Sequence, residues 1–174
     1  MHSHKTFLIS FLLAAIVFNN IALAANDPGV KAVLDKIEIV PGASLGDIKL
    51  NATEADLLAL GFTRDSLRLA KDYTYFVKPP FLTRVKGNSV VEIWLEHIGS
   101  LRNRLVYNGQ TLPRELSESS IRQFFLGCQR KDESGGYELY CNHAEIRVSY
   151  SYGTKDWSLG VLSDGKMMLN SEAP

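Results

Sequence analysis

The sequence lacks the residue patterns that mark most enzymes and metal proteins. It has two cysteines, Cys128 and Cys141, and no pair of the CxxC type that zinc sites show. After the amino-terminal segment only two histidines remain, His97 and His143. No serine lies in a GxSxG context, and no glycine-rich phosphate loop is present. The sequence therefore predicts no catalytic residues, no metal ligands and no cofactor, and an enzyme is the minority interpretation.

An excess of one charge is also missing. The 19 Lys and Arg residues balance the 19 Asp and Glu residues, and no run of like charge occurs. Nucleic-acid binding normally needs a basic face, and attraction to anionic lipid needs a polybasic segment. We therefore expect neither a nucleic-acid partner nor electrostatic attachment to a membrane.

A long apolar run is found only at the amino terminus. The segment Met1–Ala24 has a basic start, an apolar stretch at Phe7–Phe18 and the small-x-small pattern Ala22-Leu23-Ala24. This is typical of a bacterial secretory signal peptide. The alternative is an uncleaved anchor, for which the apolar stretch is short. Cleavage would leave one exported α+β domain at 25–174, periplasmic or secreted, with no integral membrane segment.

A capped amphipathic helix is the clearest local signal in the second half of the chain. Ser117 is the predicted N-cap, because its hydroxyl can accept a hydrogen bond from the first helical turn. Residues spaced at i, i+3, i+4 and i+7 lie on one side of a helix. Here these residues are Ile121, Phe124, Phe125 and Cys128. Gly127 is predicted to end the helix in a left-handed conformation.

Two strands are predicted to follow this helix, after a polar loop at 129–136. The first strand places Tyr137, Leu139 and Cys141 on its apolar side. The alternation changes parity at Asn142-His143, which indicates a turn into a second strand. The predicted local order is helix, loop, strand, strand.

The two cysteines are predicted to form a disulfide bond that joins the helix to the sheet. An exported chain meets oxidising conditions, in which two cysteines are expected to pair. Closing so short a loop contributes about 3 kcal/mol in the chain-entropy treatment. Free thiols, or a metal site made by Cys128, Cys141 and His143, are the alternatives.

The first half of the chain contains a second capped helix. Thr53 is its predicted N-cap, with Asp56 completing a variant of the capping box. Gly61 is predicted to end this helix, and a further helical turn or two is expected over 64–72. The predicted apolar side consists of Leu57, Leu58 and Leu60.

Hairpins account for most of the remaining chain. A strand at 81–86 and a strand at 89–97 flank the turn Gly87-Asn88, and a second hairpin is predicted around Asn108-Gly109. On the strand at 89–97, the residues predicted to face the core are Val91, Ile93 and Leu95. The fold class that follows is α+β, with antiparallel sheets packed by short helices.

The two helix regions align without gaps, which suggests an internal repeat. In this alignment Leu50 matches Leu116, Thr53 matches Ser119 and each helix is followed by strands. Two tandem helix–sheet repeats, at about 37–100 and 101–170, would share one core. The alternative is chance similarity between two capped amphipathic helices.

The first helix region resembles a known family signature. Leu50-Asn51-Ala52-Thr53, followed by Leu57 and Gly61, is similar to the signature of the β-lactamase-inhibitor-protein-like fold. Asn51 and Ala52 stand where that signature has Gly-Met. The family includes secreted β-lactamase inhibitory proteins and small outer-membrane assembly lipoproteins. The resemblance implies tandem helix–sheet repeats with a disulfide that closes a loop after a helix.

The predicted function is binding of another protein in the envelope or outside the cell. Missing catalytic residues and the family resemblance together favour an inhibitor, an immunity-type protein or an envelope-assembly factor. Aromatic residues are enriched at interfaces, so the predicted contact residues are Trp94, Tyr137 and Tyr140. The alternatives are a carrier of a small apolar molecule and, third, a hydrolase. Glu92, Glu96 and His97 cluster near Trp94, and we interpret that cluster as a solvated sheet edge.

Overall fold

The computed structural model describes residues 36–68 and 70–163. The predicted signal peptide at Met1–Ala24 and the last residues of the second predicted repeat lie outside the described residues. The helices are α1 (Glu54–Ala59), α2 (Ile98–Leu101) and α3 (Glu118–Phe124). The strands are β1 (Ile37–Val40), β2 (Ser44–Leu45), β3 (Ile48–Lys49), β4 (Thr63–Arg64), β5 (Thr74–Lys78), β6 (Phe81–Lys86), β7 (Ser89–Leu95), β8 (Leu105–Tyr107), β9 (Gln110–Thr111), β10 (Gln129–Glu133), β11 (Gly136–Cys141), β12 (Ile146–Ser151) and β13 (Asp156–Leu162). Short helices with mostly antiparallel strands confirm the predicted α+β class.

Eight of the strands form one antiparallel sheet, in the order β10-β11-β12-β13-β7-β6-β5-β4. The other five form a smaller sheet, in the order β3-β2-β1-β8-β9, in which β1 and β8 run parallel. In the large sheet a four-stranded meander follows α1 and another follows α3. Their last strands, β7 and β13, pair at the centre, with Leu95 opposite Leu159. That the two halves are repeats of one unit stays a prediction.

Both predicted helix caps are present. Thr53 Oγ1 accepts from the backbone N–H of Asp56 at 3.2 Å, and Ser117 Oγ accepts from that of Ser120 at 3.1 Å. Thr53 therefore corresponds to Ser117, two residues before the position that the gapless alignment gives. In α1 only Leu57 is fully buried. The prediction that Leu58 and Leu60 share its buried side is wrong, because residues two apart lie on nearly opposite sides of a helix and Leu60 is already the C-cap residue.

The end of α3 differs from the prediction. The helix stops at Phe124, and Phe125 is already extended. Gly127 has a φ of +65° but lies in the following turn. The early stop lets Phe125 enter the core, where it is fully buried and its ring centroid lies 5.0 Å from that of Tyr107.

Two predicted irregular or helical segments belong to the sheet instead. Residues Gln129–Glu133, predicted as a loop, form the edge strand β10. Its side chains are polar on both sides, so no alternation marks it, and charged residues suit an edge strand. The predicted helical turns at 64–72 are also wrong. There, Asp65 continues the pairing of β4 by donating its N–H to the carbonyl of Tyr75 at 2.8 Å.

A β-bulge changes the face on which β7 presents its first residues. The register between β6 and β7 shifts between Arg84 and Val85. Val90 is therefore fully buried, whereas Val91, predicted to face the core, is only half-buried. Beyond the bulge the alternation is as predicted, and Ile93 and Leu95 are fully buried.

The predicted cysteine pairing is present. Cys128 and Cys141 are joined by a disulfide bond, which links the turn after α3 to β11. Their sulfur atoms are bonded to each other, so the free-thiol and metal alternatives for this pair are excluded. No helix in the described ranges is long and apolar enough to cross a membrane.

Candidate binding face

The two faces of the large sheet carry different kinds of side chain. One face, here called the covered face, bears the fully buried core residues of the strands. These include Ile93, Leu95, Leu139, Val148, Leu159 and Val161. The register places a mixed polar and aromatic set on the opposite side, here called the open face. Its central members are Tyr75, Leu82, Arg84, Glu92, Trp94, Glu138, Tyr140, Arg147, Ser149, Ser158 and Gly160.

Trp94 lies at the centre of the open face and is held by three neighbours. Its Nε1 donates to Glu92 Oε2 at 3.1 Å. Its indole lies against Gly160, where a Cβ atom would come within 3.0 Å of three ring atoms. The Arg147 guanidinium lies 4.2 Å from the ring centroid, within cation–π range. The half-buried indole is thus fixed in place by contacts from three strands.

Glu92 connects Trp94 to Arg84 through its two carboxylate oxygens. It is only 4% exposed, and it pairs with Arg84 through Oε1 while Oε2 accepts from Trp94. The Arg84 guanidinium also lies 4.4 Å from the ring centroid of Tyr73. A buried carboxylate needs such partners, because an unpaired charge is costly away from water. The interpretation of Glu92 as part of a solvated sheet edge is therefore wrong, since β7 is a central strand.

Tyr140 reaches the same face through a second polar cluster. Its hydroxyl donates to Glu138, which also accepts from Ser149 Oγ at 3.2 Å and lies 3.5 Å from Arg147 Nε. Burial, and then the hydrogen bond to Glu138, raise the pKa of Tyr140 to about 12. The phenol therefore stays protonated and donating at neutral pH. Arg147 connects this cluster to Trp94.

Tyr137 lies on the other face. It is 8% exposed, its ring centroid is 5.4 Å from that of Tyr150 and 5.8 Å from that of Trp157, and the Arg130 guanidinium lies 4.1 Å away. Burial is also the main reason that its pKa is raised. The structure thus places Trp94 and Tyr140 on the open face, with β12 and β13 between their strands. Tyr137 has the parity of the covered face, yet it lines the second of the depressions described next.

Two adjoining depressions shape the open face. The first, of about 320 Å³, is walled by Trp94 and has Leu82 and Tyr75 in its lining. The second, of about 230 Å³, shares Ser149 and Ser158 with the first. Such shallow, partly apolar hollows with fixed polar groups around them suit side chains of a partner surface.

The second depression is bordered by a histidine–carboxylate pair. His97 leaves the strand with a φ of +58° and begins α2. Its Nδ1 lies 2.5 Å from Asp156 Oδ2, and this hydrogen bond raises the pKa of His97. The imidazole is exposed, so its charge changes with pH at the edge of the open face.

Sequence reasoning missed three residues that build the site. Arg84 could have been found, because the Gly87-Asn88 turn places it near Glu92 across a hairpin. Arg147 and Gly160 could not, since their contact with Trp94 depends on the pairing of β7 with β13.

The charged groups of this face are largely engaged with one another. Within the described ranges, no group of three or more His, Cys, Asp or Glu side chains is arranged to hold a metal ion. The arrangement offers hydrogen bonds and stacking surfaces.

Comparisons with protein-family models, curated proteins and solved structures found no significant match to this chain.

Proposed function

We propose that the protein is an exported, non-catalytic binding module of the bacterial cell envelope that holds another protein against its open face. The observation that carries this proposal is Trp94, a half-buried indole fixed at the centre of a sheet face by Glu92, Gly160 and Arg147. Tryptophan and arginine in such central positions supply much of the binding energy of known interfaces.

Preorganisation supports a binding role over a merely solvated surface. Ordering a flexible side chain on association costs about 0.5–1.5 kcal/mol. Trp94, Arg147 and Tyr140 already have fixed neighbours, so this cost is small for them. A partner that presents apolar or aromatic side chains could fill the depression beside Leu82 without reorganising the face.

Two features support the export and cell-envelope parts of the proposal. The amino-terminal sequence pattern is that of a secretory signal, and the Cys128–Cys141 disulfide is typical of oxidising compartments. An inhibitor, an immunity-type protein and an assembly factor all use a binding surface of this kind. The family resemblance favours those three roles.

The carrier alternative gains no support from the interior. On the helices, Leu57 and Ile121 are fully buried, and so is Phe125 just after α3. An apolar ligand placed there would have to displace these side chains.

Replacing Trp94 by alanine tests the proposal. The purified exported chain would be immobilised and exposed to periplasmic and secreted extracts, and retained proteins identified by mass spectrometry. Loss of a central anchor typically costs 2 kcal/mol or more, so we expect Trp94→Ala to weaken retention of the partner about thirty-fold.

Tyr152→Ala is the matched control, because Tyr152 is an aromatic residue with 51% exposure outside the open face. It should retain the partner as the unmodified chain does, and thermal unfolding should confirm that both variants fold. Equal retention by Trp94→Ala and the unmodified chain, or retention of no protein by either, would contradict the proposal.

A further inference from the structure

One edge of the large sheet is a strand long enough to receive another strand. β10 stands first in the sheet order and has five residues, whereas β4 at the opposite edge has two. In the described part of the chain β10 pairs on one side only, with β11. In an antiparallel ladder, every second residue of a strand directs its N–H and C=O away from the strand it pairs with. The outer side of β10 therefore offers backbone donors and acceptors to an added strand.

Contacts to two neighbouring elements keep this edge extended. All five residues of β10 are in register with β11. Arg130 forms an ion pair with Glu118 of α3, and its guanidinium lies 4.1 Å from the ring centroid of Tyr137 on β11. An added strand would therefore meet an edge that is already formed, which lowers the conformational entropy lost on association.

The order of charges along β10 makes the strand complementary to itself. The basic pair Arg130-Lys131 precedes the acidic pair Asp132-Glu133. A two-fold axis perpendicular to the sheet relates two copies of such a strand as an antiparallel pair. With the axis at Lys131, each Arg130 lies opposite Asp132 of the second copy, and each Gln129 lies opposite Glu133. Opposite charges directly across an antiparallel pair are stabilising, whereas like charges are destabilising.

The one contact between like charges in this register is compensated. The two Lys131 side chains meet at the axis, but each Nζ lies 3.2 Å from Glu133 Oε1 of its own chain. Asp132 Oδ1 lies 2.5 Å from Arg130 Nη2 of its own chain, and the Asp132 side chain is 72% exposed. This carboxylate is therefore accessible to the arginine of a second copy.

We infer that the protein associates with a second copy of itself through β10, so that the two eight-stranded sheets continue as one sheet across a two-fold axis. Main-chain hydrogen bonds supply the affinity of such strand addition, and side chains supply its specificity. This inference goes beyond the proposed function, because the association uses neither the open face nor the protein held there. Since the axis is perpendicular to the sheet, both open faces lie on the same side of the dimer.

A second copy fits the charges of this edge better than solvent alone does. Edge strands often carry charges that prevent unwanted pairing. Charges of one sign would repel a second copy, whereas β10 carries two of each sign, the basic residues before the acidic ones. Parallel pairing in register would bring like charges together. The charge order thus favours a second copy in the antiparallel direction.

Sedimentation of the full exported chain over a range of concentrations tests the inference. We expect the unmodified chain to form dimers as its concentration rises. Asp132→Lys places a positive charge opposite Arg130, and Arg130→Glu places a negative charge opposite Asp132. Each variant alone should dimerise at least about ten-fold more weakly, because two attractive pairs become repulsive. An equimolar mixture of the two variants should dimerise again, since both opposed pairs then carry opposite charges.

Introduced cysteines locate the two-fold axis. Lys131→Cys places two thiols directly opposite each other, at a separation that a disulfide can span. Glu133→Cys is the matched control on the same strand, because position 133 of one copy lies opposite Gln129 of the other. Mild oxidation should link two chains through position 131 and not through position 133. Peptide mapping should find the Cys128–Cys141 bond intact.

A chain that stays monomeric at every concentration would overturn the inference. Dimerisation that Asp132→Lys and Arg130→Glu leave unchanged would also overturn it, since the interface would then lie elsewhere. Equal linkage from positions 131 and 133, or a mixture of folded variants that stays monomeric, would contradict the antiparallel pairing. Thermal unfolding establishes that the variants fold. Trp94→Ala should dimerise as the unmodified chain does, so failure of the proposed function and failure of this inference are separate results.

Discussion

The two faces of the large sheet are built from the same strands by alternate residues, yet they are held together by different interactions. On β12 and β13 the covered face presents Val148 and Leu159, both fully buried. Their neighbours along the same two strands, Ser149, Ser158 and Gly160, lie on the open face. Removal of apolar area from water stabilises the covered face and requires no particular direction of contact.

The open face depends on directional contacts instead. Glu92 bonds both Arg84 and Trp94, and Glu138 bonds Tyr140 and Ser149. Glu92 is only 4% exposed, so its two bonds also pair a charge that water cannot satisfy. Apolar burial on the covered face thus stabilises the fold, whereas the hydrogen bonds and ion pairs of the open face fix the positions of its side chains.

The largest expected effect comes from truncating one residue on each face of β13. Leu159→Ala leaves a cavity in the core and should lower the free energy of unfolding by about 2–5 kcal/mol. Ser158→Ala, one residue away on the open face, should change it by less than about 0.5 kcal/mol. Urea unfolding of both variants measures the difference. Similar losses for the two variants would show that the faces are not divided as described.

A smaller effect is expected at Gly160, where the open face is packed most closely. A Cβ atom at Gly160 would lie 3.0 Å from three atoms of the Trp94 indole, so Gly160→Ala must displace that ring. Overpacking of this kind typically costs about 1–3 kcal/mol. We also expect a shift of the Trp94 Nε1 proton resonance and weaker retention of the partner. These effects should exceed those of a matched glycine substitution elsewhere.

Gly135→Ala is that matched control, because an added Cβ there meets no atom within 4 Å. It should leave both the stability and the Trp94 resonance unchanged. An unshifted Trp94 resonance in Gly160→Ala would mean that the close packing does not position the indole.

Features that depend on a few neighbouring residues could be predicted from the sequence. The caps at Thr53 and Ser117 each need only a hydroxyl and the next turn of chain. The Asn108-Gly109 hairpin needs two residues that accept positive φ, and both have it. By contrast, β10 could not be predicted, because an edge strand with polar residues on both sides shows no hydrophobic period.

Predicting the site from the sequence was limited by long-range pairing. The bulge that moves Val91 out of the core arises between β6 and β7, so no pattern within β7 reveals it. Tyr137 is different, because its own alternation already placed it with Leu139 and Cys141 on the apolar side. Tyr140 alternates with these residues and lies on the opposite face of the strand. Of the two tyrosines, strict use of the alternation would therefore have kept only Tyr140 as a predicted contact residue.

The smallest expected effect concerns the His97–Asp156 pair at the border of the open face. Asp156 accepts a hydrogen bond from His97 and attracts its positive charge, and both effects raise the pKa of His97 above its ordinary value of 6.5. A raised pKa in the folded state means that protonated His97 stabilises the fold. This contribution is fully present below the ordinary pKa and is lost as the pH rises through the raised pKa. Because the imidazole is exposed to solvent, the effect should be small and should weaken with salt.

Asp156→Asn should return the His97 titration, followed by NMR, to the ordinary range and flatten the dependence of stability on pH in that window. Identical titration midpoints in the two proteins would show that the pair does not form in solution. A flattened profile would locate a pH-dependent contribution at the open face, which the apolar side chains of the covered face cannot provide.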